Sequence, residues 1–202
     1  MIKTIKYQFL LLILALLNIN SFGQKLENDK KINKIFTQAE IVTLNKILIH
    51  FDNYLIDKTN IQKVDSAYHQ FSEDLKYTES IEKLWKKICE DEETNDRFLN
   101  LIKGNQSIDE LWTVLYITED NGTLNYALQP NRDGKYMKLL NYLARKNKYL
   151  KDYKNGILVM GTIPPSLAFE FPRIHDFLDF NDEAVRLLVA IHYITLKTYI
   201  EK

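Results

Sequence analysis

The chain of 202 residues has one cysteine, four prolines and six glycines, and its 27 basic side chains are matched by 27 acidic ones. With Cys89 alone, no intramolecular disulfide can form and no zinc site can be built on thiolates. So few glycines and prolines argue against a sandwich or barrel, which needs many tight turns. A formal net charge of zero removes the global electrostatic case for nucleic-acid binding. The sequence also lacks the phosphate-binding glycine loops, the G-x-S-x-G elbow, C-x-x-C, and any two histidines at metal spacing on one helix. No cofactor is implied. What is present is 46% apolar residues, enough to bury a full core.

Residues 1–23 have the composition of an export signal. Lys3 and Lys6 form a positive start, residues 9–17 are all apolar, and Ser21 and Gly23 are small where a signal peptidase reads. The apolar run falls well short of the roughly 20 residues that span a bilayer, so no transmembrane anchor is expected in the mature protein. Cleavage is expected between Gly23 and Gln24, giving a periplasmic or secreted protein. Removing two lysines leaves the mature chain at a charge of −2.

Residues 24–35 are polar and read as a flexible lead-in to a single domain over 36–202. Thr37 and Glu40 form a capping box, and Phe36 with Ile41 has the spacing of a hydrophobic staple. Ile41, Leu44, Leu48, Phe51 and Leu55 then repeat with the period of one helix face, followed by Ile61, Val64, Tyr68, Phe71 and Leu75. Two further helices are expected over 81–102. In 107–128, Asn121-Gly122 suggests a hairpin turn. Ser107 with Glu110 and the spacing of Leu111, Trp112, Leu115 and Tyr116 favour helix there instead. Asp133 is expected to cap one long helix reaching past Leu150, and residues 156–166 an extended buried connector. Pro172 should open a short helix and Asn181 cap the last one. Between Ala184 and Leu196 that last helix is apolar nearly all round, which places it at the centre. The fold expected is all-α, a bundle of about six to eight helices.

Four groups of residues bear on chemistry. Asp65, His69 and Glu73 share a helix face and offer a divalent-metal site or a tuned base, although i,i+4 pairing on a solvated face explains them as well. His175, Asp176, Asp179, Asp182 and Glu183 are the densest acid and imidazole cluster. Helix capping and the macrodipole account for most of it, and oxygen ligation of a cation is the alternative. His192 sits in the most apolar helix, where burial keeps an imidazole neutral. Residues 132–154 hold eight basic side chains against Asp133 and Asp152, a face suited to a phosphate, lipid headgroup or acidic partner, or simply to solvent.

Together these features indicate a non-enzymatic exported binding module. Its partner would be a protein or small molecule of the cell envelope, and no nucleic acid. The alternative is a metal-assisted or acid–base hydrolase around His175, Asp176 and Asp179, with His192 as a further candidate.

Overall fold

A computed structural model describes residues 25–78, 80, 83, 110–118 and 124–198. The leader, Cys89 and, apart from Lys83, the helices expected over 81–102 lie outside these residues. Those described form an all-α fold with one small hairpin. The elements are α1 (Lys25–Asn28), α2 (Ile32–Ile35), α3 (Gln38–Thr59), α4 (Val64–Lys76), β1 (Trp112–Thr118), β2 (Leu124–Pro130), α5 (Lys135–Ala144), α6 (Lys148–Met160), α7 (Glu170–Ile174) and α8 (Glu183–Thr198). Single 3-10 turns, Pro165–Phe169 and His175–Phe177, flank α7.

The α3 start matches its sequence signal. Glu40 N–H donates to Thr37 Oγ1 and Thr37 N–H donates to the Glu40 carboxylate, so two orphan donors of the first turn are satisfied at once. Ile41, Leu44, Leu48, Phe51 and Leu55 are all buried, as are Tyr68, Phe71 and Leu75 of α4. Every side chain from Leu187 to Leu196 of α8 is buried, and α8 packs on α3, α5 and β2. A nearly uniformly apolar helix is stable only when others surround it, and this one is the axis of the core.

Five expectations are corrected. The residues expected as a flexible lead-in fold as α1 and α2, because Leu26 and Ile32 are fully buried and tie them down. Residues 112–118 and 124–130 pair as antiparallel strands, Trp112 opposite Pro130 and Thr118 opposite Leu124. The supposed helical stripe is not used: Trp112 is buried while Leu115 is exposed. Thr113, Val114, Ile117 and Thr118 are β-branched and suit a strand, and the Asn121-Gly122 pair falls between the two. Trp112 Nε1 donates to Thr195 Oγ1 at 2.7 Å, fixing the hairpin to the central helix. Its exit is equally tight, since a Cβ at Gly134 would lie 2.2 Å from the Glu110 carbonyl oxygen.

The long helix expected from Asp133 is two helices. Gly134 precedes α5, and Asn147 starts α6 by accepting from Tyr149 N–H and Leu150 N–H at 2.9 and 3.2 Å. An asparagine that captures those donors interrupts the ladder and restarts it. Lastly, residues 156–160 continue α6 rather than forming a buried connector. Gly161, at φ +79°, caps α6 in the left-handed conformation, and Leu158, Val159 and Met160 are exposed. At α8, Asp182 rather than Asn181 accepts from Ala184 N–H, at 2.9 Å.

Candidate functional site

The two polar clusters separated by a hundred residues of sequence meet. His69 and Glu73 project from α4 one turn apart, and the 3-10 turn after α7 carries His175 and Asp176 against them. His69 Nδ1 lies 3.2 Å from His175 Nδ1, and His175 Nε2 lies 3.0 Å from Glu73 Oε2. Asp176 Oδ1 is 3.5 Å from His175 Nδ1. One ligand atom from each of His69, His175 and Asp176 falls within 4.8 Å of the others.

Packing holds the rings in place. His175 is buried, His69 is half-buried, and Asp176 opens to solvent. Phe180, itself buried in the core, meets the His69 ring edge-on at 4.8 Å and also packs on Tyr68. From the other side Tyr149 stacks on Phe177 at 4.2 Å, and Asn147 Nδ2 donates to the Phe177 carbonyl at 2.8 Å. The N-terminal end of α6 thus braces the turn that carries His175.

The hydrogen bonds define a proton order. A carboxylate only accepts, so His175 Nε2–H donates to Glu73, and this hydrogen bond is the main reason Glu73 stays below the usual carboxylate range. In the Nε2–H tautomer of His175 the Nδ1 is a lone pair, placed to accept from His69 Nδ1–H when that ring carries its proton there. Burial, then the neighbouring His175, pushes His69 below its ordinary value, which favours its neutral form.

The same spacing suits a metal. Two imidazole nitrogens on one tetrahedral zinc, each roughly 2.0–2.1 Å from it, stand about 3.3 Å apart. Here they stand at 3.2 Å. Metal-bound histidines usually donate their second nitrogen to a carboxylate, the role Glu73 already fills for His175. The cluster supplies two nitrogens, one exposed carboxylate oxygen and a solvent side for a further ligand.

Other sequence candidates lie elsewhere. Asp65 pairs with Lys63 at 2.7 Å and accepts from Ser66. Asp179 accepts from Asn181 backbone and side chain within its own turn. His192 is enclosed in the core, its Nδ1 2.8 Å from Tyr153 Oη, which is 3.0 Å from Tyr136 Oη. The Tyr136–Tyr153 phenol pair and the Asp52–Arg186 ion pair, at 3.3 Å, join residues far apart in sequence, so no local pattern marks either pairing. No family model matches the chain, and neither a curated protein nor a solved structure matches it.

Proposed function

We propose that this chain is an exported helical protein that binds a divalent metal of the zinc class through His69, His175 and Asp176, with Glu73 orienting His175. The observation that carries the proposal is the convergence of two imidazole Nδ1 atoms at metal spacing, with a carboxylate already behind one ring. Nitrogen-rich sites of this kind favour zinc and its transition-metal neighbours over calcium or magnesium. Binding is favoured over hydrolysis because both nearby carboxylates have structural duties. Asp176 is a ligand, and Glu73 is committed to His175, so neither stands free as a general base. Asp179 is engaged in its own turn.

Two experiments test the two halves. N-terminal sequencing of material recovered outside the cytoplasm should begin at Gln24, and a retained leader would refute export. Calorimetric titration of the metal-free mature chain with Zn²⁺ should give one site per chain. Stability should then rise by about 2.7 kcal/mol at free zinc about a hundred times Kd. His69→Ala and His175→Ala should each abolish that site, and Asp179→Asn should leave it intact. Saturable binding that persists in His175→Ala would contradict the assignment.

A further inference from the structure

The exposed end of α6 is a second feature, independent of the histidine cluster. Leu158, Val159 and Met160 are 41%, 82% and 60% exposed, three consecutive apolar side chains projecting where the helix stops. Apolar surface concentrated at a protruding tip is unfavourable in water unless something covers it. The surroundings are basic. Lys151 and Lys154 lie on the helix side that leads to Leu158, two turns and one turn back, and Arg132 donates from its guanidinium to the Leu158 carbonyl. Lys154 donates to the neutral Asn141 at 3.1 Å and makes no ion pair among the described residues. Asp152 is the one acidic residue of α6.

Area and charge together select the occupant. Three side chains offer far less than the roughly 800 Å² per partner of a stable protein interface. A bilayer needs no matching shape, and it accepts a small apolar wedge whose basic flank meets lipid phosphates. We propose that the C-terminal tip of α6 docks the protein on an anionic membrane surface, with Leu158, Val159 and Met160 entering the headgroup layer. Arg132, Lys151 and Lys154 then sit at phosphate level. At 1.5 Å of rise per residue, Lys154 stands about 6 Å behind Leu158, a separation that matches the shallow depth reached by interfacial helices. Among the described residues no helix is long and apolar enough to cross a membrane, so the contact is peripheral.

Vesicle flotation of the full mature chain tests this. Wild-type protein should float with phosphatidylcholine vesicles containing phosphatidylglycerol, and release as salt is raised. Lys151→Gln and Lys154→Gln should each weaken binding about fivefold. The double variant Val159→Ser with Met160→Ser should weaken it by about tenfold or more while its helical content and zinc titration stay those of wild type. Failure to float, or equal flotation with phosphatidylcholine alone, would overturn the proposal. So would a double variant that binds like wild type, which would leave headgroup electrostatics only. A wild-type dimer in sedimentation that the double variant dissolves would assign the tip to a second copy of the chain instead.

Discussion

Glu73 Oε2 stands 3.0 Å from His175 Nε2, and the opposite nitrogen of that ring faces His69 at 3.2 Å. The carboxylate therefore decides which nitrogen of His175 has a lone pair to offer. Glu73→Gln removes the charge that fixes this tautomer without removing a ligand. It should lower zinc affinity by roughly 10–100-fold, the range for such outer partners, with the stoichiometry unchanged. An affinity equal to wild type in the same calorimetric titration would remove Glu73 from the site.

Asn147 has two functions that different variants separate. Its Oδ1 caps α6, and its Nδ2 donates to the Phe177 carbonyl beside the site. Asn147→Ala should cost about 1 kcal/mol in chemical denaturation and weaken zinc binding as well. Asn147→Asp keeps the cap and loses only the donor, so stability should stay near wild type while zinc affinity still falls. Loss of stability in both variants with affinity untouched in both would show that the brace does not reach the site.

His192 makes the fold sensitive to acid. Burial pushes this imidazole down to about 3, the Ala168 backbone offsetting part of the effect. The unfolded chain takes up the proton from about pH 6.5 downward while the folded one does not, so stability is full above that pH and falls below it. Between about pH 7.5 and about pH 5 the ring accounts for a loss of about 2 kcal/mol. Denaturation of a His192→Phe variant across that range should show a correspondingly shallower slope. An unchanged slope would place the acid sensitivity in other groups.

Leu188 lies fully buried on the central helix. Leu188→Ala should cost on the order of 2–5 kcal/mol, since its surroundings in α8 are packed on every side and can collapse little. An exposed leucine such as Leu158 should cost far less under the same change, within about 0.5 kcal/mol.

Much of this fold is legible locally. The Thr37–Glu40 box, the α3 stripe and the all-round apolarity of α8 are signals carried within a few turns of chain, and the structure uses each of them. The failures have equally specific causes. Residues 107–116 carry helical spacing and β-branched side chains at once, and the pairing of β1 with β2 decides between them, a contact that no short window contains. Asn147 looks like one more polar position on a basic helix until its side chain is seen to take two backbone donors. The site was half legible. Both polar clusters stand out in the sequence, but each has its own local explanation, and their meeting depends on a 106-residue separation between His69 and His175. Asp65, Asp179 and His192 looked similar because chemistry-bearing residue types do not announce which of them the packing will bring together.

The chain has four histidines, few enough for each ring nitrogen to be resolved by ¹⁵N magnetic resonance. In the metal-free protein at neutral pH, the proton should sit on Nε2 of His175 and on Nδ1 of His69. On addition of one equivalent of Zn²⁺, Nδ1 of both rings should take on metal-bound shifts, the His69 proton moving to Nε2, while His192 stays unchanged. Zinc-bound shifts on other nitrogens, or two Nδ1 signals that ignore the metal, would contradict the site.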